Sequence, residues 1–223
     1  MIYFRVFIFK GSDFLIKRII FDIDMTLLDT YKDCMDTYNE MYNDENIAKL
    51  IYDILEQYAM EKHSYTKEDM TNYINERVTF NFDIDDLERI CKIYRNHATL
   101  LDENIPNILD ELSKEYELVT LSKWYLEDQI SRLKKVDIYK YFKEVYAIEN
   151  AGIKPNKEAF LIACGNNLID ECLVVGDSHK SDIDPALQYG FRAIHYDPNI
   201  TQDNYNVISN LNEIKNIIKE RRK

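Results

Sequence analysis

Acidic residues recur at one kind of place in this chain, the end of an apolar run. The run Lys17–Phe21 (KRIIF) stops at Asp22 and is followed by Asp24 and Thr26. A second run, Tyr116–Ser122 (YELVTLS), ends on Ser122 and Lys123. Lys154-Pro155 follows a third, Glu144–Ile148. A fourth, Glu171–Gly176 (ECLVVG), leads into Asp177, Ser178 and then Asp182. A single aspartate in such a place is commonly a turn or helix-capping residue. Four segments ending in carboxylates, hydroxyls or a lysine share no such structural reason. Clustered aspartates repel one another unless a cation lies between them. Oxygen ligands select a hard ion, and magnesium binds through one or two carboxylates, waters and a substrate phosphate. A carboxylate is also a nucleophile that can form an acyl phosphate. The rest of phosphoryl transfer is positioning and charge neutralisation, which Lys154 and Ser122 can supply.

Such residues act together only if the elements before them lie side by side. The apolar runs read as buried strands, and amphipathic segments lie between them: Ile108–Lys114, Leu126–Lys134, Asn156–Cys164 and Ile183–Tyr189. Arg192–Tyr196 reads as a further strand and Leu211–Arg221 as a terminal helix. Strands alternating with helices predict an α/β fold, a doubly wound parallel sheet with right-handed crossovers. Ligands of such sheets bind beyond the C-terminal strand ends, where these residues fall. Residues 30–96 differ in character. They hold neither Gly nor Pro, and apolar residues such as Ile47, Leu50, Ile51, Ile54 and Leu55 recur at helical spacing. Thr66 with Asp69, and Asp83 ahead of Leu87, signal helix starts. The expected organisation is a core of residues 1–29 and 97–223 with a small helical domain, 30–96, inserted after the first core strand.

The composition restricts the partners. With 46% hydrophobic and 30% charged residues, five Gly and four Pro in 223 residues, the chain has a globular profile. Its net charge of -12 argues against nucleic acid, which requires basic faces. An anionic substrate therefore needs local positive charge from a lysine, a metal or a helix N-terminus. Cys34, Cys91, Cys164 and Cys172 form no CxxC pair and sit near no His at zinc spacing. Ile2–Phe9 is a short apolar run that contains Arg5 and precedes no cleavage signal. No stretch is long and apolar enough to span a membrane. The expectation is a cytoplasmic protein with free thiols, acting on a small phosphorylated metabolite as a monomer or homodimer.

At this point the motifs resemble those of the haloacid dehalogenase-like superfamily. Asp22-Ile-Asp24-Met-Thr26 resembles its DxDxT motif, and Ser122 after an apolar strand its second motif. Lys154-Pro155 followed by Phe160 is similar to the third, and Gly176-Asp177-Ser178 with Asp182 to the fourth. The resemblance runs from about Lys17 to Tyr196 and implies a Rossmann-like core with a helical cap. It implies that Asp22 is the nucleophile and a magnesium ligand. Asp24 would be general acid and then base, with its backbone carbonyl on the metal. Thr26 would support Asp24, while Ser122 and Lys154 would hold the phosphoryl oxygens. Asp177 would ligate magnesium, and Asp182 would orient that shell. Dehalogenases of the superfamily lack an aspartate two residues after the nucleophile, so Asp24 favours a phosphatase, with phosphoglycolate-type or nucleoside monophosphate substrates leading. The runners-up are a sugar phosphomutase and a catalytically silent binding protein. Met25 departs from the glycine most common at its position, Lys123-Trp124 from an Asn-Gly-like pair, and Pro185 from the small residues usual there.

Other residues carry bland readings. His179 is read as a solvent-facing helix start, with contact to substrate as the alternative, and His63, His97 and His195 as structural. Tyr31, Tyr38 and Tyr42 lie at helical spacing and read as packing residues. Trp124 is open between core and mouth. Residues 1–16 are read as either an extra edge strand or an overlong start.

Overall fold

The computed structural model describes residues 15–61, 64–200 and 206–220. Its centre is a sheet of β1 (Arg18–Phe21), β2 (Glu117–Leu121), β3 (Glu144–Tyr146), β4 (Cys172–Gly176), β5 (Arg192–Tyr196) and β6 (Val207–Ile208). The spatial order is β3-β2-β1-β4-β5-β6, and every neighbouring pair is parallel. β1 is therefore central, with β2 on one side and β4 on the other. Its register sets Phe21 opposite both Thr120 and Val175, so the residues after all three strands share one sheet edge.

Burial explains the uninterrupted apolar runs. Ile19 and Phe21 point to one layer and Ile20 to the other, as alternation along a strand requires. The first layer holds α5 (Ile105–Ser113), α6 (Leu126–Lys135) and α10 (Glu213–Glu220), through Ile108, Leu112, Leu133 and Ile214. The second holds α8 (Lys157–Cys164) and α9 (Asp184–Gln188), through Phe160, Ala163 and Ala186. A strand covered on both faces has no polar face to show. The expected doubly wound parallel sheet is the observed fold.

Two differences from the sequence reading have local causes. The third strand ends at Tyr146, and Ile148 opens the single turn α7 (Ile148–Ala151). Asn150 stops the strand: its Oδ1 accepts from the Ala147 N–H at 2.7 Å and its Nδ2 donates to the Val145 carbonyl at 3.0 Å. β6 was not anticipated, because two residues carry no periodicity.

Between β1 and α5 lie four helices, α1 (Thr30–Tyr42), α2 (Glu45–Glu61), α3 (Lys67–Asn75) and α4 (Ile84–Tyr94). Thr66 caps α3 by accepting from the Asp69 N–H, and Asp83 and Asp86 form a reciprocal capping box on α4. Tyr38, Ile51, Tyr58, Ile74 and Leu87 close a separate apolar core, so this unit holds together by its own packing. Tyr38 and Tyr42 pack as expected, whereas Tyr31 is 45% exposed. The unit is tied to the sheet edge by polar contacts. Lys123 Nζ donates to the Ala59 carbonyl at 3.0 Å and Lys180 Nζ to the Met60 carbonyl at 2.9 Å, both in the last turn of α2. Arg95 donates to Asp128 at 2.6 Å, and the Tyr125 hydroxyl to the Tyr65 carbonyl at 2.8 Å.

No helix among the described residues is long and apolar enough to cross a membrane. The four cysteines are free thiols. Residues 1–14, which carry most of the N-terminal segment weighed above, and His63 lie outside the described residues.

Candidate active site

Asp22 is still held by the sheet: its N–H donates to the Val175 carbonyl at 2.8 Å. The chain then folds over itself, with the Leu27 and Leu28 N–H groups both reaching the Ile23 carbonyl. Met25 lies in this turn at φ 58°, in the left-handed region where a side chain is unfavourable by about 1 kcal/mol. That backbone explains why glycine suits the position. The Met25 side chain is 38% exposed and faces the cavity described below.

Lys154 links two strand ends. Its ammonium group donates to Asp22 Oδ1 at 2.5 Å and Asp182 Oδ1 at 2.6 Å, and all three residues are buried. Asp22, Asp177 and Asp182 offer carboxylate oxygens that lie within 4.8 Å of one another. Asp182 sits in a π-helical turn, His179–Ile183, and also accepts from the Ser178 N–H at 3.2 Å. Such a turn commonly marks a functional site. Gly176 makes the approach possible, because a Cβ there would lie 2.6 Å from Asp182 Cγ.

Asp24 belongs to a different network at the same mouth. Its Oδ1 accepts from Arg132 at 2.8 Å and Thr30 at 2.7 Å, and its Oδ2 from Gln129 at 2.6 Å and Ser122 at 3.2 Å. Arg132, fully buried on α6, also donates to the buried Asp33 at 2.8 Å and lies 4.2 Å from the Tyr94 ring. Ser122 is fully buried, so its hydroxyl stands behind the Asp24 carboxylate. Thr26 Oγ1 lies 3.5 Å from Asp177 Oδ1.

These environments drive the two carboxylates apart. Burial, reinforced by Asp182, Asp177 and Asp24 and opposed by Lys154, raises the Asp22 carboxyl well above the usual range. Burial beside Asp182 raises Asp177 to about 6. Asp24 is also penalised by burial, but Arg132, Thr30 and Gln129 outweigh this and hold it below 3.8.

Above the strand ends a cavity of about 490 Å³ separates the sheet edge from the four-helix unit. Asp22, Asp24, Lys154 and Asp177 line its floor. Tyr38, Tyr52, Tyr58, Tyr65 and Tyr94 line its walls with Trp124.

Comparison with known proteins decides the family. The haloacid dehalogenase-like hydrolase model matches residues 19–196. The chain belongs to the haloacid dehalogenase-like (HAD) hydrolases. Solved structures agree on the fold. The HAD hydrolase YfnB of Bacillus subtilis, bound to magnesium, is 18% identical at a TM-score of 0.76, covering 92% of this chain and 99% of that one. L-2-haloacid dehalogenase of Xanthobacter autotrophicus, with chloropropionic acid covalently bound, is 15% identical at 0.73, covering 92% and 99%. A HAD phosphatase of Thermococcus onnurineus is 21% identical at 0.61, covering 91% and 97%. No curated protein sequence matches.

In this HAD hydrolase the strand-end residues singled out from the sequence meet at one mouth, in two groups. Asp22, Lys154, Asp177 and Asp182 form the first; Asp24 and Ser122 stand in the second, and the Asp24 side chain lies outside the three-carboxylate cluster. The cluster fits a divalent ion: its donors are all oxygen, and the single Lys154 ammonium cannot balance three clustered carboxylates. Trp124 serves both of its open readings, since it packs on Tyr94 and Tyr125 and also lines the cavity. His195 accepts from or donates to no carboxylate of the cluster; its Nε2 lies 2.7 Å from the Asp177 carbonyl, beside the His179 ring. Sequence reading missed Gln129 and Arg132. The available signal was a polar residue on each inward turn of an otherwise amphipathic helix.

Proposed function

We propose that this protein is a magnesium-dependent phosphatase that hydrolyses a small phosphate monoester through a phosphorylated Asp22. The observation that carries this reading is the pairing of two differently tuned aspartates at one mouth. One is held by a lysine within a carboxylate cluster; the other is held by an arginine network. Two carboxylates held in separate settings at one mouth can take separate roles.

Asp22, Asp177 and Asp182 would hold the magnesium ion, which when bound neutralises charge on the phosphoryl oxygens. Lys154 engages Asp22 Oδ1, leaving Oδ2 to attack phosphorus. As the new P–O bond forms, the ester P–O bond breaks and the departing alkoxide takes a proton from Asp24. The Arg132 network favours the ionised form of Asp24. An arriving phosphate adds negative charge beside it and favours its protonation. In the second half, Asp24 takes a proton from water as the water oxygen attacks phosphorus. The bond to Asp22 breaks and inorganic phosphate is released. Ser122 reaches a phosphoryl oxygen in this scheme only by turning from Asp24. The helical unit would act as a cap that excludes water during these steps.

The retained Asp24 supports hydrolysis of phosphate esters over dehalogenation, which has no leaving alkoxide to protonate. The test is phosphate release from p-nitrophenyl phosphate with and without magnesium. Turnover should require the metal, and Asp22→Asn should abolish it. Full activity of Asp22→Asn, or turnover indifferent to chelation, overturns the proposal.

A further inference from the structure

The floor and the walls of the cavity differ in charge. Three lysines line it, Lys123, Lys154 and Lys180, and all come from segments that follow the sheet strands, where a phosphate group would bind. The four-helix unit contributes one acidic side chain and no basic one among the described residues, Glu56 on α2. The rest of its contribution is apolar or aromatic, chiefly Tyr38, Tyr52, Tyr58, Tyr65 and Tyr94.

Glu56 makes no hydrogen bond or ion pair among the described residues, although it is half-buried. Lys123, the cation whose charge reaches it, is committed to the Ala59 carbonyl. Tyr65 adds a second unmet group. It is 6% exposed, and its buried hydroxyl has no partner among the described residues. Tyr65 lines the same cavity as Glu56, Lys154 and Asp24, and the charges of all three act on its hydroxyl. Buried polar groups without partners are uncommon and call for an explanation.

Resting on the phosphatase reading, we infer that Glu56 selects phosphate monoesters whose alcohol part carries a positive charge, an ammonium group above all. A carboxylate surrounded by aromatic faces attracts an ammonium group both as a counter-ion and through the rings. A second anion on the leaving group would instead face Glu56, and among the described residues lining the cavity the four-helix unit itself supplies no cationic side chain. The surplus of negative charge over the whole chain acts in the same direction. Phosphoglycolate-type esters are thereby disfavoured. Lys154 meets the phosphate end, Glu56 the cationic end, and Tyr65 offers its hydroxyl between them.

The test compares two esters of the same shape, phosphocholine and uncharged 3,3-dimethylbutyl phosphate. The kcat/KM ratio of charged to uncharged ester should be about tenfold in the natural protein. Glu56→Gln should bring that ratio to within about twofold of unity, and Glu56→Asp should keep most of it. A ratio near one in the natural protein, or one unmoved by Glu56→Gln, overturns the inference; if p-nitrophenyl phosphate is still hydrolysed, the phosphatase reading stands. If no ester is hydrolysed, both esters are titrated calorimetrically into Asp22→Asn protein with and without Glu56→Gln. Tighter binding of phosphocholine that is lost with Glu56 supports charge selection and removes only the phosphatase reading. Equal binding of the two esters overturns the inference.

Discussion

Arg132 is the side chain on which the second network turns, and replacing it by methionine tests the description of that network. The guanidinium is fully buried and donates to Asp24 and Asp33, each at 2.8 Å. Asp33 is itself fully buried. Removing one partner of a buried ion pair leaves a charge with neither water nor counter-ion and typically costs 3–5 kcal/mol, taken here as about 4. For a chain of this length that corresponds to a fall in Tm of roughly 8–16 °C. Pairing Arg132→Met with Asp33→Asn removes the stranded charge as well and should recover about half of the loss. Differential scanning calorimetry of the single and double variants reads both values. The same change acts on Asp24. Arg132 keeps its folded-state value below the ordinary 3.8, so their interaction stabilises the protein above that pH and fades as pH falls through the folded value. The loss in Arg132→Met should therefore shrink in strong acid. The limb of the pH–rate profile at which Asp24 loses its proton should also move to higher pH. A fall of less than about 1 kcal/mol at neutral pH, well below the 3–5 expected, refutes the buried pairing.

Gly176→Ala forces a Cβ into the place of the Asp182 carboxyl and should weaken magnesium binding by about tenfold, measured by calorimetric titration; unchanged affinity removes Asp182 from the ion's surroundings. Magnesium affinity should fall as pH drops through about 6, because Asp177 must be ionised to bind the ion. The raised Asp177 also costs metal-free protein stability as pH rises from its unfolded value to about 6, so the gain in Tm on adding magnesium should be larger at pH 7.5 than at pH 5. A metal-induced gain independent of pH contradicts this. Lys123→Met with Lys180→Met removes both contacts to the end of α2 and should accelerate hydrogen exchange of α2 amides, with the sheet strands unaffected. Unaltered exchange in α2 would show that packing alone holds the helical unit.

Much of this was legible because strand ends concentrate information. A run such as KRIIF, buried on both faces, cannot admit an aspartate, so Asp22 marks where the sheet stops. The parallel order then places Ser122, Asp177 and Asp22 along one edge, and helix signals at Thr66 and Asp83 appear as caps. What escaped depended on contacts between distant residues. Arg132 lies 108 residues from Asp24, and on a helix surface an arginine normally reads as solvated. Asn150 ends β3 through its own side chain, a competition with the backbone that propensity alone does not rank. Glu56 was likewise hidden, since periodicity shows that α2 is amphipathic but not which margin of it overlooks the cavity.

The lysine contacts to α2 bear on how the enzyme opens. A helix ends in carbonyls carrying partial negative charge, and Lys123 and Lys180 satisfy two of them while also facing the cavity. A phosphate oxygen is a stronger acceptor than a carbonyl. If the cavity takes a phosphate ester as proposed, anion and helix terminus would compete for the same two ammonium groups. On the proposed reading, the two side chains that tie α2 to the sheet edge are the same two that an anion in the chamber would draw on.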